Sequence, residues 1–101
     1  MAVASLRRGA RVAAVGIRQV GLDETVELAG AGDRLATFQV DITDRAAVEA
    51  LPDQVVNFLG DVDGLINVAG IIQPFVRLVD LDHAAIERVV NVNLYGTLHT
   101  V

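Results

Sequence analysis

The sequence predicts an α/β fold in which helices cover both faces of a parallel sheet. Short runs of apolar and β-branched residues alternate with longer segments whose apolar residues recur at helical spacing. The segments that separate the runs are long enough for right-handed crossovers, which make consecutive strands parallel. The length of 101 residues allows one domain, placed at residues 1–101.

The composition restricts the class of protein. It is 52% hydrophobic and 21% charged, which is ordinary for a globular domain. The net charge is −5 and the only adjacent basic pair is Arg7–Arg8, so neither nucleic acid nor an anionic membrane is a predicted partner. With no cysteine and two distant histidines, no metal site is predicted. Neither a signal peptide nor a membrane span is predicted, so we expect a cytoplasmic protein.

The first half of the chain begins with the end of a helix. Residues 1–8 have this pattern, and Gly9 follows as a favoured C-terminal cap. A compact apolar run at residues 10–15 predicts the first strand. A short helix is predicted over residues 22–29, ended by Gly30. Its predicted inward residues are Val26, Leu28 and Ala29.

A second strand is predicted over residues 35–40. Asp44 follows it at the position of an N-cap, where its side chain can accept a bond from an early helical N–H. The helix after Asp44 contains Pro52 about two turns in, which predicts a kink or break there, and Gly60 closes it. Its predicted inward residues are Val48, Leu51, Val55, Phe58 and Leu59.

A short third strand is predicted over residues 63–67. After a loop that contains Pro74, Asp82 is the predicted cap of a last helix. The predicted inward side of that helix comprises Ile86, Val89, Val90, Asn93, Leu94 and Thr97.

Ligands of parallel α/β sheets bind where the strands end at their carboxyl edge. Three clusters occupy those ends, namely residues 16–18, 41–42 and 67–70. Gly16 also fits a simple turn, and Asp41 with Asp44 also fits helix capping alone. The small residues after Asn67 are more specific, because they let a ligand or another backbone approach closely.

Asn93 is predicted on the sheet side of the last helix. A buried amide without partners costs about 1–3 kcal/mol, so it must be bonded. One interpretation is a structural asparagine bonded to a neighbouring carbonyl, and the other is an asparagine that holds a water or a catalytic side chain. Spacing leaves both open. His83 and the acidic pairs are predicted to be solvated.

Three motifs together resemble a known family. Residues 41–44 (DITD), 58–70 (FLGDVDGLINVAG) and 91–96 (NVNLYG) closely resemble, in order and in spacing, the middle of short-chain dehydrogenases/reductases. The similarity extends from Arg8 onward. It implies a partial Rossmann-type doubly wound parallel sheet of three strands, NAD or NADP as cofactor, and hydride transfer between the cofactor and a small alcohol or carbonyl substrate.

The resemblance also implies roles for residues. Asp41 and Ile42 would flank the adenine of the cofactor. The residues that would support the sheet and line the ribose side are Asn67, Ala69 and Gly70. Asn93 matches the active-site asparagine that kinks its helix and holds a water of the proton relay. Residues 70–75 would run beside the nicotinamide, and the helix from Asp82 would pack against its twin in a homo-oligomer.

The sequence also departs from the family pattern. The first strand and its glycine-rich loop have no counterpart, and the catalytic serine and the Tyr-x-x-x-Lys pair are absent. Tyr95 is not followed by a lysine, and all eight basic residues are arginines. Gly16 stands where NAD-using members usually carry an acidic residue, while Arg18 is a candidate for a 2′-phosphate, so the choice between NAD and NADP stays open.

These departures predict an internal piece of such a domain, marginally stable or prone to aggregate and inactive as this chain. Without a first strand, the strands at 10–15 and 64–67 would each lack a neighbour. One alternative is a non-catalytic relative that acts by association with another subunit. Another is a different Rossmann-like domain, such as a methyltransferase or a nucleotide-sugar enzyme, which the Asn67–Gly70 and Asn93 motifs disfavour.

Overall fold

Two parallel strands with helices around them form the centre of the computed structural model, which describes residues 1–101. Strand β1 spans Val12–Gly16 and strand β2 spans Leu35–Gln39, paired from Val12 opposite Leu35 to Gly16 opposite Gln39. Helix α2 and a short 3₁₀ turn connect them, and a helical crossover of this kind makes neighbouring strands parallel. The predicted α/β class is confirmed.

Five α-helices surround or follow the strands. They are α1 (Ala2–Arg7), α2 (Gln19–Ala29), α3 (Arg45–Leu59), α4 (His83–Val90) and α5 (Thr97–Thr100). Short 3₁₀ turns lie at Gly32–Arg34 and Leu78–Asp80, and a π-helical turn at Asn91–Gly96 joins α4 to α5. No helix combines the length and the apolar character that crossing a membrane requires.

Both predicted aspartate caps are present. The Asp44 side chain accepts a hydrogen bond from the Ala47 N–H at 3.2 Å, and the Asp82 side chain accepts one from the Ala85 N–H at 2.7 Å. Each bond satisfies a backbone donor that has no partner inside its helix. The starts of α3 and α4 are therefore fixed by local chemistry.

The predicted inward face of α2 is wrong at two positions. Val26 and Leu28 are 47% and 76% exposed, whereas Leu22 is buried. The helix begins three residues before the predicted start, and Leu22 lies under β1, where a Cβ added to Gly16 would come within 3.3 Å of Leu22 Cδ2. Helical spacing from Leu22 then directs Ala29 inward, as predicted, and Leu28 outward. Val26, one turn after Leu22, lies on the same face as Leu22 but beyond the part that the strands cover.

The predicted third strand does not form. Residues 63–67 have no partner strand, and no backbone hydrogen bond connects them to β1 or β2. Leu65 and Ile66 remain 55% and 60% exposed. A strand exists only through pairing with a neighbour, and no strand of this chain lies beside this segment, so the sheet has two strands and not three.

The predicted break at Pro52 is also absent, because α3 is continuous from Arg45 to Leu59. Proline removes one backbone bond from a helix, but the apolar face of α3 packs on both sides of it. Val48, Val55 and Leu59 are buried as predicted. Phe58 is predicted to face inward but is 69% exposed. Its ring packs edge to face against the ring of Phe38, with 5.9 Å between the ring centroids.

The inward face of the last helix matches the prediction only at Val89 and Thr97, which are half-buried. Ala85 and Gly96 are buried, while Ile86, Val90 and Leu94 are 38%, 38% and 52% exposed and Asn93 is also exposed. The π turn accounts for part of the difference. A π turn accommodates one residue more than an α turn, so it shifts the phase of every position that follows.

The hydrophobic core is small. Only seven of the 101 residues are buried, and residues 61–80 are exposed throughout. The radius of gyration is 15.5 Å, compared with about 13 Å for a compact domain of this length. Much of the apolar surface of this chain is therefore uncovered.

Candidate functional site

A cleft of about 260 Å³ lies at the carboxyl ends of β1 and β2. Ile17 follows β1 and Asp41 follows β2 on one side, and the extended segment at Ile71 forms the other. The lining residues are Ile17, Asp41, Thr43, Ile71, Arg88, Asn91 and Val92. This is the edge of the sheet where the sequence predicts ligand binding.

Asp41 forms one wall through a tight turn. Its Oδ1 accepts hydrogen bonds from the Thr43 N–H at 2.9 Å and from the Thr43 hydroxyl at 2.7 Å. An aspartate that bonds the backbone two residues on makes an Asx turn, which fixes the carboxylate. Oδ2 accepts no hydrogen bond from the protein, so it is available to a ligand that donates one.

Ile42 lies behind the Asp41 wall, and the last helix contacts both its side chain and its carbonyl. Gly96 packs so closely that an added Cβ would lie 2.6 Å from Ile42 Cδ1. The Ile42 carbonyl oxygen is 2.8 Å from Nδ1 of His99. Ile42 therefore supports the cleft and does not line it.

Asn93 clamps the opposite wall. Its Oδ1 accepts a hydrogen bond from the Ile71 N–H at 2.9 Å, and its Nδ2 donates one to the Ile71 carbonyl at 2.8 Å. A Cβ added to Gly70 would stand 3.4 Å from Asn93 Oδ1, an ordinary van der Waals contact. The bonded amide agrees with the structural interpretation. It lies within the π turn, a distortion that is frequent at functional sites.

The remaining predicted residues lie outside the cleft. Asn67 Oδ1 accepts a hydrogen bond from the Thr100 hydroxyl at 2.7 Å, which connects the extended segment to α5. Ala69 and Gly70 are exposed next to Ile71. The structure thus brings Asp41, Ile71 and the Asn93 turn together, and places Asn67 at the far end of the same segment.

Sequence reasoning missed His99. The signal that was available is helical spacing, because Val92, Gly96 and His99 lie on one face of the last helix. The sequence does not show that this face meets Ile42, which is 57 residues away along the chain.

One carboxylate and one guanidinium lie in the cleft. The ion pairs of the chain are Arg45–Glu49 and Arg77–Asp80, both exposed, so Arg88 has no carboxylate within 4.0 Å. A ligand that carries an anionic group would find an unpaired cation there.

A larger cavity of about 480 Å³ lies at the opposite edge of the sheet. Its lining residues are Arg11, Gly32, Asp33, Leu35, Ala36, Phe58 and Leu59. It is at the amino ends of the strands and contains none of the predicted site residues. The smaller cleft is therefore the candidate site.

The sequence matches the family model of short chain dehydrogenases over residues 1–101. The chain belongs to the short-chain dehydrogenase/reductase family. It is 38% identical over 98 residues to short chain dehydrogenase/reductase dpmpG of Macrophomina phaseolina, covering 95% of this chain and 56% of that protein. It is 37% identical over 79 residues to 3beta-hydroxysteroid dehydrogenase 2 of Eggerthella lenta, covering 74% of this chain and 30% of that protein.

Solved structures show the same fold. A putative short-chain dehydrogenase from Novosphingobium aromaticivorans superposes with a TM-score of 0.88 at 27% identity, over 97% of this chain and 37% of the other. NADP-bound ElxO superposes with a TM-score of 0.87 at 22% identity, over 98% and 40%. The predicted family and the partial Rossmann-type fold are confirmed. This chain corresponds to about a third to a half of the length of such proteins.

Proposed function

We propose that the cleft binds the adenosine portion of NAD or NADP. In this proposal the chain contributes part of the cofactor site of an oxidoreductase that interconverts a small alcohol and its carbonyl compound. The observation that supports the proposal most directly is the place of Asp41 in the cleft at the carboxyl end of β2, where ligands of parallel sheets bind. Its Oδ2 accepts no hydrogen bond from the protein. Membership of a family of oxidoreductases and the NADP-bound neighbour support the same proposal.

The lining of the cleft suits a nucleoside. Ile17, Ile71 and Val92 offer apolar surface to a planar base, and Asp41 Oδ2 can accept a hydrogen bond from an exocyclic amine. Arg88 can pair with a phosphate of the ligand. When bound, the cofactor supplies hydride transfer. The side chains of this chain bind and orient it.

Asn93 has a second proposed role, on the nicotinamide side. Its two bonds fix the backbone of Ile71, which belongs to the segment that the family resemblance places beside the nicotinamide. An amide has two lone pairs and two N–H groups, so Asn93 retains one of each for a water of a proton relay.

We further propose that the 101-residue polypeptide binds nucleotide but does not turn over substrate. The resemblance assigns proton transfer to a tyrosine and lysine pair, and none of the 101 residues is lysine. Incubation with NADH or NADPH and a panel of ketones should give no oxidation of the cofactor above a protein-free blank. Turnover by this polypeptide would refute this part of the proposal.

Calorimetry with 5′-AMP and 5′-IMP tests the adenine site. The Asp41→Asn variant keeps an oxygen for the turn at Thr43 but replaces the unused acceptor with a donor. Loss of a charged acceptor costs about 1.5–3 kcal/mol, so the affinity for AMP should fall at least tenfold. IMP carries a carbonyl oxygen in place of the amine, and the introduced amide can donate to it, so the affinity for IMP should hold or rise. Asp53→Asn, on the exposed side of α3, is the matched control. Equal AMP affinity in the wild type and Asp41→Asn would refute the assignment.

A second candidate function is association with another subunit, and a specific surface favours it. Ile86, Val90, Leu94 and Leu98 recur every four residues along the last helix and are all exposed, Leu98 to 58%. The partner that fits an apolar helical stripe of this kind is the same stripe of a second copy.

Sedimentation velocity, with the chain alone and mixed with a full-length relative, tests the association. Leu94→Glu should abolish it, whereas Leu28→Glu, on the exposed face of α2, should leave it intact. Equal effects of the two substitutions would indicate non-specific hydrophobic association and would count against this function.

A further inference from the structure

We infer that His99 is a positioning residue that fixes the Asp41 wall of the cleft. The inference rests on the proposed function, since it concerns the affinity of that cleft for its nucleotide. His99 lies in α5, outside the cleft lining, and acts through the backbone of residues 42 and 43.

The contact itself is short and bridges distant parts of the chain. Nδ1 of the half-buried His99 ring lies 2.8 Å from the carbonyl oxygen of Ile42. A carbonyl only accepts hydrogen bonds, so Nδ1 carries the proton and Nε2 is the unprotonated nitrogen of the neutral ring. The protonated ring also donates from Nδ1, so the contact persists in either charge state.

The carbonyl that His99 binds and the N–H that Asp41 binds belong to one peptide unit. The C=O of Ile42 and the N–H of Thr43 lie in the same rigid plane and point in opposite directions. His99 donates to the oxygen at one end, and Asp41 Oδ1 accepts from the N–H at the other. Rotation of this plane would therefore break both bonds, so His99 and Asp41 hold it jointly.

Ile42 is restrained a second time by its side chain. Gly96, three residues before His99 on the same helical face, leaves room for Ile42 Cδ1 and Cγ1 but not for a Cβ of its own. The last helix thus fixes both the side chain and the carbonyl of Ile42. The result is a defined orientation of the Asp41 carboxylate toward the ligand.

Three substitutions distinguish the effect of the hydrogen bond from the effect of the bulk of the ring. The amide nitrogen of His99→Asn occupies the place of Nδ1, whereas that of His99→Gln reaches toward the place of Nε2. His99→Ala removes both. We expect His99→Ala and His99→Gln to weaken AMP binding about three- to tenfold and to speed hydrogen exchange of the Thr43 amide by a similar factor. His99→Asn should retain both properties.

The control is His83→Ala, because His83 is exposed in the first turn of α4 and its side chain makes no hydrogen bond. This variant should change neither measurement. Nitrogen NMR of the histidine rings should show His99 protonated at Nδ1 and unprotonated at Nε2 at neutral charge.

Two results would overturn the inference. One is unchanged Thr43 exchange in His99→Ala. The other is a His99→Asn variant that behaves like alanine, which would assign the effect to ring packing. Failure of the wild type to bind AMP would instead refute the proposed function, and Thr43 exchange would still decide whether His99 positions the turn.

Discussion

Replacing Asn93 with alanine should release the extended segment at Ile71 from the last helix. The side chain of Asn93 makes two hydrogen bonds with one residue, and both involve the backbone of Ile71. No backbone-to-backbone hydrogen bond restrains residues 61–73. The amide clamp and the Asn67–Thr100 contact are therefore the hydrogen bonds that hold this stretch against the helix.

The expected magnitude follows from the exposure of both bonds. A hydrogen bond near solvent contributes about 0.5–1 kcal/mol net, so the pair contributes about 1–2 kcal/mol. Local opening that becomes easier by this amount accelerates exchange of the Ile71 amide about five- to thirtyfold. The change from asparagine to alanine also raises helix propensity by some tenths of a kcal/mol, which a control must remove.

The suitable assay is hydrogen exchange measured by NMR. The buffer should contain sulfate, which strengthens the burial of apolar surface. Asn91→Ala is the matched control, because it makes the same substitution in the same π turn and its side chain forms no hydrogen bond. Exchange at Ile71 should accelerate in Asn93→Ala and not in Asn91→Ala. Equal rates at Ile71 in the two variants would show that the clamp does not hold the segment, and the reasoning would fail.

Three further expectations concern stability. Relative to Gly21→Ala, where nothing lies within 4 Å, Gly96→Ala should lower the free energy of unfolding by about 1–3 kcal/mol, because its added Cβ meets Ile42 and both changes raise helix propensity alike; denaturant titration distinguishes them. Asp44→Ala should cost about 1 kcal/mol through loss of the α3 cap, measured against Asp53→Ala as control, and equal losses would refute the cap. With seven buried residues, the 101-residue chain should melt broadly or associate, and a sharp monomeric transition in circular dichroism with ultracentrifugation would contradict this.

The features that the sequence predicted correctly depend on local chemistry. Asp44 and Asp82 cap helices because their carboxylates reach N–H groups three residues away. The two strands that formed also have each other as partners. The segment at 63–67 has the composition of a strand, but strand formation depends on a neighbour that composition does not specify.

The site could be predicted in part for the same reason. Asp41 follows a strand, and its place at the carboxyl edge is a general property of parallel sheets. The contacts of Asn93 with Ile71 and of His99 with Ile42 join residues 22 and 57 positions apart. The spacing of residues limited the role of Asn93 to two interpretations. It gave no information on which residue His99 contacts.

The π turn at Asn91–Gly96 makes the last helix sensitive to its number of residues as well as to their chemistry. Each residue of an α-helix advances the direction of the side chains by about 100°. Deleting one exposed residue there, such as Tyr95, would restore regular winding and leave His99 and Thr100 facing Ile42 and Asn67, whereas inserting one residue would rotate both away together. Substitutions on the exposed side of this turn, and loss of its extra residue, should therefore be tolerated far better than an insertion.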